Sequence, residues 1–199
     1  MKSTIFLLAG GNDRGTHEYA KRLEEEITKH VTNPKILSCF FSHPEKDWAF
    51  WHETWQKWFS DNFKTSFTYD YAKKETFLDQ VDAADVIYLH GGDTPLLLES
   101  LPDASILREH FKGKVVIGSS AGANALSQKY WSSSQAVPGK GLGVIDTNVM
   151  VHYGAPERDG RERTMHDWER EAADFQTYVG PGKITHLPEG QFVIKVFDI

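Results

Sequence analysis

The chain has 199 residues, 40% of them hydrophobic and 25% charged, with a formal net charge of −6; these are the proportions of a globular protein long enough to bury a core without covalent staples. That acidic balance, with no dense Lys/Arg cluster, excludes the surface that nucleic acid or an anionic membrane requires, so neither is expected as a partner. The single cysteine, Cys39, excludes an intrachain disulfide framework and a cysteine-based zinc site.

No stretch approaches the roughly 20 apolar residues of a membrane span. The apolar run after Lys2 is too short for a usual signal-peptide core. A cytoplasmic protein with a single domain over residues 1–199 is expected.

Ile5 to Ala9 is a short, wholly apolar run ending in Gly10-Gly11-Asn12, the pattern of a buried parallel strand with a glycine turn at its carboxyl end. Thr16 is placed to cap a helix through about His30, with Tyr19, Leu23 and Ile27 on one face. Pro34 breaks that unit, and Lys35 to Phe41 reads as a second strand, in which Cys39 is a structural thiol. From Trp48 to Phe63, Trp48, Trp51, Trp55, Trp58 and Phe59 recur at steps of three and four. That is an amphipathic helix, and packing on a sheet is its expected use, with a subunit interface or an aromatic substrate wall as the other. His52-Glu53 lacks the second histidine of a zinc-protease helix, because position 56 is Gln.

Ser66 to Tyr71 alternates as a half-buried strand does, and Lys74 to Asp82 reads as a short helix. Asp85 to His90 is another buried strand, stopping at Gly91-Gly92-Asp93-Thr94. Pro95 opens a helix through Leu101, and Asp103 caps a further one through Phe111. Strands alternating with helices, each strand short and apolar, indicate a parallel sheet covered on both faces.

Lys114 to Gly118 then runs into Ser119-Ser120-Ala121-Gly122-Ala123-Asn124. Strand, Gly-x-Ser-x-Gly turn and helix form the context in which a serine becomes a nucleophile, and Ser120 is its central serine. Gly118 and Gly122 leave room for a tight elbow, and Ala121 offers a backbone N–H beside the hydroxyl. A Gly/Ser connection that binds a phosphate, or nothing, has the same local pattern. Its surroundings favour the nucleophile: Gly10-Gly11-Asn12, His90 to Asp93 and Ser120 all fall at carboxyl ends of strands, where parallel sheets bind ligands.

Beyond the elbow, Ser127 to Gly141 is polar and glycine-containing and reads as a long surface loop. Gly143 to Ile145 and Val149 to Tyr153 read as short strands, Arg158 to Arg163 as a charged loop and Thr164 to Ala173 as a helix. Ile184 to Leu187 and Phe192 to Phe197 are closing strands around Pro188-Glu189-Gly190.

A serine nucleophile needs a base, and nine histidines compete. His152 is best placed, ending the apolar Val149-Met150-Val151 run. His90 also ends a strand but leads into a Gly-Gly turn suited to an oxyanion contact, and His43 follows the second strand. His17, His30, His52 and His110 lie on helices, and His166 and His186 lack a supporting motif.

Gly118-Ser119-Ser120-Ala121-Gly122-Ala123-Asn124, preceded by Gly91-Gly92-Asp93-Thr94 and followed by Val149-Met150-Val151-His152-Tyr153 and Gly160-Arg161-Glu162-Arg163, resembles the peptidase E and cyanophycinase family of serine peptidases, in order across most of the chain. The resemblance implies a flavodoxin-like, class I glutamine-amidotransferase-like three-layer α/β sandwich with a mainly parallel sheet and a nucleophile elbow. It implies Ser120 as nucleophile, His152 as general base, and an oxyanion hole from the N–H groups of Ala121 and the Gly91-Gly92 turn. Peptidase E members cleave dipeptides with an N-terminal aspartate, and cyanophycinases cut β-linked aspartyl-arginine. In the peptidase E type an arginine after the histidine holds the substrate carboxylate, which points to Arg163, with Arg161 as the alternative.

One departure concerns the acid of the triad. Enteric peptidase E has an acidic residue soon after the nucleophile, whereas Ser127 to Gly141 has none and Gln135 stands there. Glu189 resembles the late acidic-Gly turn of cyanophycinase-like members; a Ser-His dyad is the second arrangement and Asp146 the third. The expected activity is hydrolysis of short peptides, the first candidates being dipeptides with N-terminal Asp. The expected protein is a monomer or homodimer that needs no metal or organic cofactor. The rival readings are a ligand-binding or regulatory protein that has lost turnover, and an esterase or acyltransferase on the same elbow.

Overall fold

The computed structural model describes residues 3–11, 17–158 and 160–197, apart from the side chains of Arg158 and Arg161. The first strand, β1 (Thr4–Ala9), is buried along its whole length. Helix α1 (His17–Thr28) turns Tyr19, Leu23 and Ile27 inward as their four-residue spacing requires; the expected caps of Thr16 and the turn residue Asn12 lie outside the described residues. β2 (Lys35–Cys39) leads to α2 (Trp48–Asn62), whose aromatic stripe packs on the sheet. Trp55 reaches Tyr88 at 5.2 Å and His90 at 4.4 Å between ring centroids.

β3 (Thr68–Tyr71) alternates exposed and half-buried residues. It is followed by α3 (Phe77–Ala83) and the fully buried β4 (Val86–Leu89). The Asp93 side chain caps α4 (Thr94–Ser100) by accepting from Leu96 N–H at 2.8 Å. Asp103 precedes α5 (Ala104–Phe111) but makes no side-chain capping bond, a correction to the expected cap. β5 (Val115–Ser119) then delivers the elbow and α6 (Ala121–Leu126).

These elements build a six-stranded sheet in the order β12-β1-β5-β4-β2-β3. Five strands are mutually parallel, and the edge strand β12 (Phe192–Phe197) runs antiparallel to β1. Leu8 and Leu89 both stand opposite Gly118. The carboxyl ends of β1, β4 and β5 therefore finish level, with their glycine turns and Ser120 along one rim.

The last third of the chain departs from expectation. Ser127 to Gly141 is not a surface loop: it holds β6 (Lys129–Ser132) and β7 (Val137–Lys140), paired antiparallel. Tyr130 and Trp131 are buried there, and a side chain at Gly139 would collide with the Tyr130 ring. The polar serines around these two aromatics mask a strand that buries only its centre. Gly143 to Ile145 forms no strand; Val144 and Ile145 are buried in a loop tied to the end of α6 by Leu142 N–H to Ala125 carbonyl and Ile145 N–H to Leu126 carbonyl.

β8 (Asn148–Val151) and β11 (Ile184–Leu187) join β6 in a second, four-stranded sheet, β11-β8-β6-β7. The two closing strands thus do not pair with each other but belong to different sheets. The arginine loop carries a minimal hairpin, β9 (Glu157–Arg158) and β10 (Arg161–Glu162). α7 (Met165–Val179) runs past the expected end at Ala173 and starts with a Thr164–Asp167 capping box. Trp168 and Phe175 on α7 pack with Trp131, Met150 and Ala155 in a second core. Among the described residues no helix is long and apolar enough to cross a membrane.

Candidate active site

The elbow forms because small residues let α6 close onto the sheet. A Cβ at Gly122 would lie 2.1 Å from the Leu89 carbonyl oxygen, and one at Gly118 would lie 2.8 Å from the Gly122 backbone. Ser120 adopts φ 49, ψ −107, a region that L residues enter only under strain. Its N–H is held by the Ala9 carbonyl at 3.0 Å, which ties the elbow to the end of β1. The strain presents Oγ at the rim of the sheet.

Ser120 Oγ lies 2.8 Å from His152 Nε2, and His152 Nδ1 lies 2.7 Å from Glu189 Oε1. A carboxylate only accepts, so Nδ1 carries the proton and Nε2 is left to accept from the serine hydroxyl. His152 is 2% exposed, whereas the Glu189 side chain is 28% exposed.

Ser120 ends a strand of one sheet, and its two partners follow strands of the other. In the second sheet Leu187 is opposite Val151, so β8 and β11 end together and His152 meets the Pro188-Glu189-Gly190 turn. His152 sits at φ 58 with its N–H on the Gly10 carbonyl at 3.0 Å, and Gly190 N–H bonds the Gly11 carbonyl at 2.8 Å. Gly10-Gly11 is the strap between these segments. A Cβ at Gly10 would lie 2.1 Å from the Pro188 carbonyl oxygen, and one at Gly11 would lie 2.2 Å from His152 Cε1.

Around Ser120, a Cβ at Gly91 would come within 3.3 Å of the serine Cβ. The N–H groups of Gly91, Gly92 and Ala121 make no hydrogen bond among the described residues. Among the described residues these three donors are thus left without a protein partner beside the Ser120 turn.

The remaining candidates lie elsewhere. His90 is buried with Nε2 2.8 Å from Ser38 Oγ, and its ring stacks 4.0 Å from Tyr88 and 4.6 Å from Phe40, inside the sheet-to-helix core. His43 stacks on Trp51 at 4.6 Å and faces the Gly91 backbone; burial holds its pKa below the ordinary imidazole value against that contact and the nearby Asp47. Asp146 precedes β8, at the strand end opposite His152. Burial pushes the Cys39 thiol up to about 12, as befits a structural cysteine.

Arg163, the expected substrate-binding arginine, is paired within the protein. Its side chain is 6% exposed, with Nη1 3.1 Å from Glu171 Oε2, Nη2 donating to the Ser133 carbonyl at 2.5 Å, and the guanidinium 4.6 Å from the Trp168 ring centroid. Glu171 also accepts from Trp131 Nε1 at 2.6 Å. The arginine so engaged fastens the hairpin segment to α7 and the β6–β7 turn, and its charge is already matched. The Arg161 side chain lies outside the described residues. Ser42, a buried serine that holds the Gly91-Gly92 turn, carries no sequence signal beyond its position just after a strand. Among the described residues, no group of three or more His, Cys, Asp or Glu side chains is arranged to hold a metal ion.

The sequence pattern of Peptidase family S51 matches residues 5–193. No curated protein matches the chain. Among solved structures, the crystal structure of a peptidase from an acI-B1 Actinobacterium is similar with a TM-score of 0.66 at 19% identity, over 97% of this chain and 83% of that one. At that identity the likeness speaks for the fold, and with the mostly parallel sheets it agrees with a flavodoxin-like architecture. Because the family match spans nearly the whole sequence, from β1 to β12, the chain belongs to peptidase family S51.

Proposed function

We propose that this chain is a serine peptidase that hydrolyses short peptides through an acyl-enzyme, with dipeptides bearing an N-terminal Asp as the first candidate substrates. The observation that carries the reading is the continuous hydrogen-bonded series from Ser120 Oγ through His152 to Glu189 at a strained elbow.

In the first half-reaction Ser120 Oγ attacks the scissile carbonyl carbon as His152 Nε2 takes the hydroxyl proton. The carbonyl oxygen becomes an oxyanion that the N–H groups of Ala121 and the Gly91-Gly92 turn stabilise. His152 returns the proton to the leaving nitrogen, the C–N bond breaks, and an ester to Ser120 remains. Water then attacks this ester with His152 again as base, releasing the carboxylic acid and restoring the serine. Glu189 holds the imidazole in the required tautomer and balances the imidazolium.

All of these groups come from one chain, so a monomer suffices for the chemistry. Selection of an acidic first residue is assigned to the arginine loop, with Arg161 and Arg163 as its named cations. Arg163 enters that role only if substrate competes with Glu171.

The test is a dipeptide panel with varied first residues, run beside fluorophosphonate labelling of wild type and Ser120→Ala. The expected result is labelling confined to wild type and preferential cleavage of aspartyl dipeptides. Full peptidase activity in Ser120→Ala would sink the mechanism. Equal cleavage across the panel would remove the substrate assignment alone.

A further inference from the structure

Ser42 follows β2 by three positions, is 1% exposed, and holds the Gly91-Gly92 turn at two points. Its Oγ donates to the Gly91 carbonyl at 2.7 Å, with the His90 carbonyl at 3.3 Å as a weaker second acceptor. Its own carbonyl accepts from Asp93 N–H at 2.9 Å. Between these points Gly92 passes so close that a Cβ would lie 2.6 Å from the Ser42 carbonyl oxygen.

The geometry of a trans peptide gives this clamp a chemical consequence. No peptide bond among the described residues is cis, so the Gly91 carbonyl and the Gly92 N–H point in opposite directions. With the carbonyl turned to Ser42 Oγ, the Gly92 N–H is turned away from Ser42. Ser120 lies close beside the same turn, its Oγ 3.8 Å from where a Gly91 Cβ would be. Two glycines in sequence give this peptide plane wide rotational freedom, and it is held from the Ser42 hydroxyl and from the His43 ring, which also bonds the Gly91 backbone. A flipped plane would present a carbonyl dipole where the oxyanion develops, repelling the charge instead of stabilising it.

We propose that Ser42 is a positioning residue for peptide hydrolysis, its hydroxyl fixing the Gly91–Gly92 peptide plane so that the Gly92 N–H serves the oxyanion. This inference rests on the serine-peptidase reading above. It requires that losing the hydroxyl weaken the transition state while leaving ground-state binding nearly intact.

The experiment compares wild type with Ser42→Ala and with Ser42→Cys, a weak donor of similar shape, using the dipeptide that wild type cleaves best. The expected result is a kcat lower by about 10- to 10²-fold with KM within about threefold, in a chain whose Tm stays close to that of wild type. An unchanged kcat in either folded variant overturns the proposal, as does a loss carried by KM alone. Fluorophosphonate labelling of wild type separates the two levels. If Ser120 is labelled and the Ser42 variants keep wild-type kcat, the positioning role fails and the serine mechanism stands. If wild type neither labels nor hydrolyses, the underlying reading fails and takes the proposal with it.

Discussion

Gly11 faces the imidazole of His152 so closely that a Cβ on Gly11 would lie 2.2 Å from Cε1 and 2.9 Å from Nδ1. Gly11 also sits at φ +102, a conformation that a side chain disfavours. Gly11→Ala therefore must push the ring off the line between Ser120 and Glu189. We expect kcat/KM to fall by about 10²-fold or more, since a displacement of order 1 Å at the reacting groups has that effect. Steady-state kinetics, with circular dichroism to show retained fold, checks this; unchanged kinetics would show that the ring has room to adjust.

Ser120 trades stability for its position. At φ 49, ψ −107, it holds strain of about 1–3 kcal/mol that glycine does not feel. Ser120→Gly is expected to be more stable than Ser120→Ala by about 1 kcal/mol, while both lack hydrolysis. Thermal unfolding should place the glycine variant about 2–4 °C above the alanine variant. Equal melting temperatures would mean that the elbow relaxes when the hydroxyl is lost.

Glu189→Gln retains the size of the side chain but lets an amide N–H face Nδ1, favouring the wrong imidazole tautomer. The expected outcome is a kcat lower by about 10²-fold or more with little change in KM. A loss smaller than about threefold would identify a Ser-His dyad in which Glu189 only covers the ring.

The two arginines are separated by different readouts. Arg163 and Glu171 are 6% and 10% exposed, and breaking a buried pair costs about 3–5 kcal/mol because the surviving charge is left unmatched. Arg163→Ala should therefore lower Tm markedly. Arg161→Ala should raise KM for aspartyl dipeptides relative to neutral ones. If Arg163→Ala keeps its Tm and loses the aspartyl preference, the buried pairing does not describe the working enzyme.

Local chemistry made much of the first two-thirds of the chain legible. The apolar runs of β1, β4 and β5 end in glycines or at Ser120 because they are parallel strands whose carboxyl ends must turn tightly. The four-residue spacing of Tyr19, Leu23 and Ile27 is the buried face of α1. The later segments were less legible for a definite reason. β6 carries only Tyr130 and Trp131 as its apolar signal among serines and a lysine, and its burial comes from β7, β8 and α7, partners distant in sequence. Arg163 reads as an available cation in one dimension, because the carboxylate that neutralises it is one turn or more along a helix that the same loop packs against.

By itself, the sequence determined most elements of the first sheet and the candidate reactive groups: a strand-elbow-helix around Ser120, a histidine at the end of an apolar run, and a carboxylate in a Pro-Glu-Gly turn. Those features depend on neighbours within a few residues, where φ/ψ preference and apolar periodicity act. Which groups meet depended on the tertiary structure, because Ser120 ends a strand of the first sheet whereas His152 and Glu189 end strands of the second. The level ends of β8 and β11, and the two glycines that follow β1, thin enough to pass between them, bring a serine, an imidazole and a carboxylate into hydrogen-bond reach across 69 residues of chain from Ser120 to Glu189.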